Sequence, residues 1–368
     1  MMIQEELHEL APGLEATSLK VITDTDGRCW VIKTIDEHRA YEEASLIIKS
    51  NQLLKKSVQA KPIFPEIAEM KLGKISSYTM AYIQGETLEQ YFQSLINPML
   101  DEQMTRLTLE AVKKIKLLHA VSTDRYSSDY HKVIVQRRLE IILTCPMIIH
   151  HIETRLASQT DELRQFRFEQ LQHFNLLFNN ETHPTSRNLY DAAVQLYERN
   201  APLMESLIHG DPHFGNIIWD QVNQDLIFID PRCTWDNKSN TKTGYFDPLY
   251  DIASICHSFI SNDHIGYEIY HDIDAANQVI HVADQALHKF ELYLNRSLWV
   301  LQTYLGREPQ PDELVRFIVY VACSLSGTMR YITWAPNIHK LITMYVYVYL
   351  FLHFAVAKGQ SGIGGSYE

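Results

Sequence analysis

Three polar side chains, Asp211, Asn216 and Asp230, lie just outside two short apolar runs of the sequence. The runs, residues 217–219 and 226–229, are separated by a polar turn and therefore predict a β-hairpin. The folded hairpin can bring two carboxylates and one amide together at one of its ends. Phosphoryl transfer from a magnesium-bound nucleotide needs such a set, because one carboxylate orients and deprotonates the acceptor hydroxyl while the amide and the second carboxylate hold the metal. Mg2+ prefers oxygen ligands and keeps several waters, so few protein ligands suffice.

The same residue types are also common in turns, and the tripeptide HGD alone would be a weak signal. The sequence contains more than that tripeptide, because HGDPHFGN is followed at short spacing by an apolar run and then by IDPR. This joint pattern favours a catalytic segment over an ordinary turn. It predicts a strand–loop–strand context that a structure can test.

The motifs HGDPHFGNII, IDPR and FDPLYDIA together resemble the aminoglycoside phosphotransferase and choline kinase-like family. The resemblance implies an α+β, two-lobed protein-kinase-like fold, in which HGD replaces the HRD motif of protein kinases. It implies that Asp211 is the catalytic base and that Asn216 and Asp230 are ligands of Mg2+. His209 and Asp251 would support the catalytic loop, with Asp251 acting from a following helix.

Lys33 ends the apolar run of residues 29–33, as the lysine of the VAIK motif does in kinases, where it binds the α- and β-phosphates of ATP. A surface lysine at the end of a strand is the alternative interpretation. Residues 37–56 predict a helix with Glu42 and Glu43 in its first turns, and one of the two is expected to pair with Lys33. Glu43 is preferred because it places the following apolar residues in better helical register. No GxGxxG motif is present here, so an abbreviated phosphate loop is expected.

Residues 75–83 predict a strand that leads into a bend at Gly85. This segment resembles the hinge between the lobes in the same family, with backbone groups near Ala81 and Tyr82 facing the adenine ring. Thr87 precedes a helical pattern and is expected to cap a helix.

The lobe boundary is expected at this hinge, since no low-complexity linker or internal repeat divides the chain. Residues 1–83 would form the N-terminal nucleotide-binding lobe, and residues 84–368 the C-terminal catalytic lobe. Protein kinases have almost nothing at the position of about residues 124–200. The resembled phosphotransferases carry a helical insert there that forms much of the acceptor pocket, and residues 161–178 are among the segments with a helical pattern.

Arg232 and Asp236 follow Asp230 in the sequence, and both are candidates for contact with the substrate. The sequence leaves open whether Arg232 pairs with Asp247 or reaches an anionic group of the substrate.

The formal net charge of −12 argues against a nucleic-acid partner, because phosphate backbones favour clustered Lys and Arg. The five Cys are scattered, odd in number and without a CxxC pair, which fits free thiols in a reducing compartment rather than disulfides or a zinc site. The N-terminal residues lack the apolar segment of a secretory signal, so a cytoplasmic location is expected.

Residues 341–357 carry no formal charge. A membrane span usually needs about 20 apolar residues, and this run is shorter and contains several Tyr. A buried C-terminal helix is therefore favoured over a membrane anchor, and contact with a membrane is not expected.

Together these observations predict a kinase that transfers the γ-phosphate of magnesium-bound ATP or GTP to a hydroxyl of a sugar, polyol, aminoglycoside or amino alcohol, with Asp211 as the base. A non-catalytic kinase-like protein that binds nucleotide or acts as a scaffold is the alternative, and the complete set of candidate catalytic and metal-binding residues argues against it. The sequence leaves open the acceptor, the choice between ATP and GTP, and the oligomeric state.

Overall fold

The computed structural model describes residues 3–10, 16–57, 60–95, 99–125, 128–144, 172–232, 234–235, 238–239, 242–261, 271–274, 276–332 and 338–361. The chain divides into two compact units. The first combines Met1–Arg125 with Met204–Asp251, and the second combines Tyr126–Leu203 with Ile252–Glu368.

The N-terminal part of the first unit is an antiparallel sheet. Its strands are β1 (Ile3–Leu10), β2 (Ser18–Asp24), β3 (Cys29–Ile35), β4 (Ile67–Lys71) and β5 (Ser76–Ala81). They lie in the order β1-β2-β3-β5-β4. Asp24 fixes the turn between β2 and β3, because its Oδ1 atom accepts hydrogen bonds from the backbone N–H groups of Asp26 and Arg28, each at 2.9 Å. An Asp-rich turn between two apolar runs is typical of a β-hairpin.

Helix α1 (Glu37–Ser57) follows β3 and packs against β3, β4 and β5. Ala40, Ala44 and Ile47 recur at helical spacing and are buried on the face that meets the sheet. The same helix carries Glu43 into the interior of the unit.

The hairpin predicted from the apolar runs of residues 217–219 and 226–229 is present. Strands β11 (Ile217–Asp220) and β12 (Asp225–Phe228) pair in an antiparallel manner. Asp220 closes the turn between them, because its Oδ1 atom accepts hydrogen bonds from the N–H groups of Val222 and Asn223 at 3.1 and 2.9 Å. The strand–loop–strand context that the motifs require is therefore part of the fold.

The first unit contains further described elements. They are β6 (Glu86–Thr87), α2 (Leu88–Ser94), α3 (Met99–Val121), β7 (Thr123–Arg125), β10 (Met204–Leu207), β13 (Thr234–Trp235), β14 (Lys238–Ser239) and β15 (Tyr245–Phe246). Strand β6 extends the hairpin in the order β12-β11-β6, and β10 lies between β15 and β7. Thr87 caps α2 through a reciprocal contact with Gln90, as its position before a helical pattern predicted.

The second unit is mainly helical. Its described elements are α4 (Ser128–Thr144), β8 (Asn175–Phe178), β9 (Glu181–His183), α5 (Ser186–Arg199), β16 (His271–Asp274), β17 (Val279–Val282), α7 (Asp284–Leu305), α8 (Pro311–Ile332) and α9 (Ile338–Ser361). Helix α6 (Leu249–Ser261) begins in the first unit and continues into the second. The strands form one sheet in the order β16-β17-β8-β9, in which β17 and β8 are parallel.

Residues 161–171 of the segment with a helical pattern lie outside the described residues, and the prediction is wrong at its end, because residues 175–178 form β8. Asn179 and Asn180 follow with φ values of 52° and 59°, and this left-handed pair turns the chain directly into β9. Two consecutive residues with positive φ are typical of the type I′ hairpin turn, which Asn tolerates. The Asn-Asn pair was therefore a turn signal that outweighs the apolar helical pattern before it.

Helix α9 contains the long uncharged run of the sequence. Residues Leu341–Gln360 are long and apolar enough to cross a membrane, and 72% of their most apolar window is buried inside the structure. Val348 and Leu352 are completely buried, and α9 packs against α5, α7 and α8. This burial is what a core helix requires.

The described elements give an α+β fold with a small N-terminal β-sheet region and a larger, mainly helical C-terminal region, which confirms the predicted fold class. The lobe boundary between residues 83 and 84, and the role of about residues 124–200 as an insert, stay predictions.

Candidate active site

A buried carboxylate holds the start of the loop that contains the HGD tripeptide. Asp251 lies in the first turn of α6 and is fully buried. Its Oδ2 atom accepts a hydrogen bond from the backbone N–H of His209 at 2.8 Å, and its Oδ1 atom accepts one from Gly210 at 2.7 Å. The Nε2 atom of His119, for which the sequence predicted no role, lies 3.0 Å from Oδ2. Because a buried carboxylate is costly unless it is hydrogen-bonded, these contacts make Asp251 a fixed support for the loop.

Gly210 is required by the backbone of the loop. Its φ of +87° lies in the left-handed region that glycine adopts most easily. A Cβ atom at this position would lie 2.2 Å from the backbone oxygen of Arg232. The backbone N–H of Arg232 in turn donates to the carbonyl oxygen of His209 at 2.7 Å. The segment after Asp230 therefore crosses directly over the HGD tripeptide, and only glycine permits that approach.

The ring of His209 links the loop to the end of the hairpin. The backbone N–H of Asp211 donates to Nδ1 at 3.2 Å, so the ring proton is assigned to Nε2, which lies 2.9 Å from the carbonyl oxygen of Ile229. The ring also stacks on Phe64, with 5.5 Å between ring centroids. Burial lowers the pKa of His209, so the ring is neutral and serves as a structural connector.

Asn216 is fixed relative to the candidate base. It ends a single 3₁₀ turn (Phe214–Asn216), and its Nδ2 atom donates to the backbone oxygen of Asp211 at 3.0 Å. The backbone N–H of Ile229 donates to the backbone oxygen of Asn216, also at 3.0 Å. Since the side-chain nitrogen is the donor in this arrangement, the amide oxygen is the atom that Asn216 can offer to a cation.

Asp230 lies two residues after the end of β12 and has a left-handed backbone with a φ of 54°. Its Oδ1 atom lies 3.0 Å from the Nζ atom of Lys33, and about a third of its side chain is exposed. A positive φ in a residue that is not glycine is uncommon and often marks a functional position. The strained backbone directs this carboxylate toward Lys33.

The donor atoms at this end of the hairpin fit a hard divalent cation. Asn216 offers an amide oxygen and Asp230 a carboxylate, which are ligand types that Mg2+ accepts. The part of the chain that the structure describes contains no group of three or more His, Cys, Asp or Glu that could hold a metal by itself. A metal held by these two residues would therefore need further oxygen ligands from water or phosphate, as Mg2+ in nucleotide sites usually has.

Lys33 is joined to the helix residue that the sequence favoured. Its Nζ atom lies 2.8 Å from Oε2 of Glu43, and the hydroxyl of Tyr78 donates to the same oxygen at 2.9 Å. Glu42 instead lies beside His38. Burial alone would lower the pKa of Lys33, but the carboxylates of Asp230 and Glu43 outweigh that effect and raise the pKa. Lys33 therefore carries its positive charge at neutral pH.

The two residues expected to face adenine lie at the end of β5, as the hinge pattern predicted. However, the N–H of Ala81 donates to the backbone oxygen of Glu66 at 2.8 Å, and the N–H of Tyr82 donates to that of Cys29 at 3.1 Å. Neither N–H group is offered to a ligand in this conformation. Contact of these residues with adenine stays a prediction.

Arg232 contacts the candidate base, which the sequence did not indicate. Its Nη2 atom lies 2.8 Å from Oδ2 of Asp211. The two partners considered from the sequence were Asp247 and a substrate anion. Asp247 accepts a hydrogen bond from the N–H of Leu249 at 3.0 Å, at the start of α6. The other substrate candidate, Asp236, lies outside the described residues.

The first unit thus brings together a loop supported by a buried carboxylate, a candidate base, an amide and carboxylate pair, and a buried Lys–Glu ion pair. These are the kinds of group that phosphoryl transfer from a nucleotide uses. The model of the phosphotransferase enzyme family matches residues 6–271 of the 368-residue chain, and the chain belongs to that family. The family recognised from HGDPHFGN, IDPR and FDPLYDIA is therefore confirmed.

Among solved structures, the chain is similar to the amicoumacin kinase hAmiN in complex with AMP-PNP, Ca2+ and Ami. The TM-score is 0.45 and the sequence identity is 13%, and the match covers 96% of this chain and 90% of that chain. A search of the curated proteins found no match.

Proposed function

We propose that this phosphotransferase is a small-molecule kinase, which transfers the γ-phosphate of magnesium-bound ATP or GTP to a hydroxyl group with Asp211 as the base. The observation that carries the proposal is the chain of contacts across the site. Lys33 contacts Asp230 at 3.0 Å, and Asn216 is bonded to the backbone of Asp211 at 3.0 Å. Ile229, which precedes Asp230, is bonded to Asn216. A phosphate-binding lysine, two oxygen ligands for a metal and a carboxylate base are thereby neighbours.

Each residue has a defined task in this proposal. Asn216 and Asp230 would hold Mg2+, which neutralises phosphate charge when it is bound. Lys33, kept in place by Glu43, binds the phosphates. Asp211 accepts a hydrogen bond from the acceptor hydroxyl, orients its oxygen for in-line attack and takes its proton.

The acceptor that we propose is a small molecule with a hydroxyl group, such as a sugar, a polyol, an aminoglycoside or an amino alcohol. Membership of the family supports a small-molecule acceptor. We further propose that residues 124–200 contribute to acceptor binding. Three described thiols, Cys29, Cys256 and Cys323, are free, which fits the reducing cytoplasm that we propose as the location.

The test is a screen of nucleotide consumption over hydroxylated metabolites in the presence of Mg2+, with wild-type protein and Asp211→Asn compared on every hit. Loss of a general base lowers turnover by about 10²- to 10⁴-fold, so Asp211→Asn should retain nucleotide binding and lose kcat on the true acceptor. Asp284→Asn is the matched control, since Asp284 is exposed in the first turn of α7. It should turn over at the wild-type rate.

Two outcomes would contradict the proposal. Near wild-type kcat in Asp211→Asn would remove Asp211 as the base. Nucleotide binding without consumption in the presence of any acceptor would favour a non-catalytic nucleotide-binding or scaffold protein.

A further inference from the structure

Arg138 is a buried arginine of the second unit that the proposed chemistry does not use. It lies in α4, and only 5% of the residue is exposed. Its Nε atom is buried and has no hydrogen-bond partner, and the described part of the chain shows no ion pair between Arg138 and a carboxylate. Arg316, which is also buried in this unit, contacts Asp312 at 2.7 Å. The two buried arginines therefore differ in that only Arg316 has its counter-charge beside it.

The charge of Arg138 requires a partner. An arginine side chain keeps its positive charge inside a protein, so it cannot avoid the cost of burial by losing a proton. A buried charge is costly unless it is paired and hydrogen-bonded. A buried polar group without a partner in a native structure is often explained by a bound ion. An anion that enters with a ligand would supply what the described residues do not.

Helix α8 accommodates the guanidinium through a glycine. A Cβ atom at Gly327 would lie 2.4 Å from Nη1 of Arg138. Glycine inside a helix lowers stability relative to alanine, and its presence there usually has a packing or functional reason. Cys323 lies one turn earlier in α8, and its Sγ atom is 3.9 Å from the backbone oxygen of Val135 in α4. These two contacts fix the neighbouring helices and place the guanidinium against the backbone of α8.

The same helix carries a second unpaired polar group. Ser324 lies three residues before Gly327, and side chains at this spacing share one face of a helix. Its Oγ atom is buried and has no hydrogen-bond partner in the described part of the chain. Carboxylates and phosphates accept hydrogen bonds from hydroxyl groups, and their geometry matches the planar fork of a guanidinium. The groups that lack partners are therefore of the kinds that an oxyanion satisfies.

We propose that the second unit binds an oxyanion, which is a carboxylate or phosphate group of a small molecule, through the guanidinium of Arg138. This site is independent of the proposed phosphoryl transfer, because every residue that supports it lies in the second unit. The oxyanion neutralises the buried charge and accepts hydrogen bonds from the guanidinium.

An arginine that only packs between α4 and α8 would respond differently to substitution. Its replacement by Met should change stability by the same amount whatever anion is present. At an oxyanion site, replacement by Met removes an unpaired buried charge when no ligand is bound, and this is often neutral or stabilising. The stabilisation that a bound anion gives the folded state would then be lost.

The experiment measures thermal unfolding of the full chain in Tris buffer, with inorganic phosphate or acetate added and the ionic strength held constant with sodium chloride. Wild-type protein is compared with Arg138→Met and Gly327→Ala. The second variant keeps every charge, but its methyl group would lie in the space of the guanidinium. Arg137→Met is the matched control, since Arg137 is the neighbouring arginine of α4 and is only partly buried.

We expect phosphate, acetate or both to raise the melting temperature of the wild type by about 2 °C or more at saturation. The more effective anion identifies the ligand group as a phosphate or a carboxylate. Arg138→Met should show no such rise and, without added oxyanion, should unfold at or above the wild-type temperature. Gly327→Ala should show a smaller rise, and Arg137→Met should show the full one. Gly327→Ala preserves the test if Arg138→Met does not fold.

Three results would overturn the inference. The first is an equal rise in the wild type and Arg138→Met, because the rise would then be a general effect of the salt. The second is no rise in the wild type with either anion. The third is an equal loss of stability in Arg138→Met in every buffer, which would leave Arg138 a structural role alone. None of these results bears on the proposed function, which is decided by Asp211→Asn.

Discussion

The two compact units differ in the interactions that hold their segments in place. In the first unit, the segment around the HGD tripeptide is held by directional contacts. Asp251 accepts hydrogen bonds from two backbone N–H groups, and the ring of His209 joins two segments of backbone. In the second unit, α9 is held by burial. Nearly every side chain of residues 341–352 is removed from solvent, whatever its position around the helix.

The kind of interaction that holds a unit together determines which patterns its sequence contains. A directional contact needs a particular residue type at a particular position, because a carboxylate, a glycine or a histidine cannot be exchanged without losing the bond or the approach. Apolar burial tolerates many exchanges of similar volume. The first unit therefore carries short motifs that indicate chemistry, whereas the second carries apolar patterns that indicate only helices.

Because α9 is held by burial, we expect the largest loss of unfolding free energy from a charge placed inside the second unit. Val348→Asp introduces a carboxylate at a fully buried position of α9. An unpaired buried charge costs about 3–5 kcal/mol, which is comparable to the total stability of many domains, about 5–15 kcal/mol. Urea unfolding should show a large decrease in the midpoint.

Leu292→Asp is the matched control, because Leu292 is a 55% exposed apolar residue on α7. Its effect should stay within about 0.5 kcal/mol. Equal unfolding midpoints for Val348→Asp and the wild type would show that α9 is not held by burial.

A smaller effect, on function rather than stability, is expected from Asp230 and Asn216, the two residues of the first unit that we propose as ligands of Mg2+. Asp230→Ala removes a charged oxygen ligand and Asn216→Ala a neutral one, so the first variant should need more Mg2+ for half-maximal turnover. Loss of a residue that only supports a metal ligand lowers metal affinity by about 10- to 100-fold. Because Asp230 would be a ligand itself, its loss should lower the affinity for Mg2+ by at least about tenfold.

The measurement is turnover as a function of Mg2+ concentration at saturating nucleotide, with calorimetric titration of the nucleotide with and without Mg2+. Asp284→Ala, at an exposed position far along the chain, is the control. An unchanged Mg2+ requirement in Asp230→Ala would show that the IDPR motif does not hold the metal.

Much of the candidate site could be predicted because its parts are local in sequence. The hairpin β11–β12 follows from two apolar runs around a polar turn. The pair of Lys33 and Glu43 follows from a strand and the first turns of the next helix, and the two residues are only ten positions apart in sequence. Asp251 was implied by the resemblance, and its bonds to the HGD backbone are present.

The contacts that could not be predicted depend on backbone geometry between distant segments. Arg232 meets Asp211 because Gly210 takes a left-handed conformation and lets the later segment cross over the loop. The N–H groups of Ala81 and Tyr82 are taken up by carbonyl oxygens of other segments. Apolar and polar patterns do not specify such crossings, because they determine which side chains are buried but not which backbone atoms meet.

The smallest effect is expected at a directional contact in the first unit that lies outside the proposed chemistry. Thr87 caps α2: its Oγ1 atom accepts a hydrogen bond from the N–H of Gln90 at 3.2 Å, and the Gln90 side chain accepts one from the N–H of Thr87 at 3.1 Å. Thr87→Ala should lower the free energy of unfolding by about 1 kcal/mol. Thr87→Ser keeps the hydroxyl and should stay close to the wild type.

Urea unfolding gives the stability, and the same samples give kcat and the Mg2+ requirement, both of which should be unchanged because the cap contacts no candidate catalytic group. A fall in kcat of tenfold or more in Thr87→Ala, with Thr87→Ser normal, would show that the directional contacts of the first unit act as one network. The distinction between contacts that hold this unit together and contacts that perform its chemistry would then be wrong.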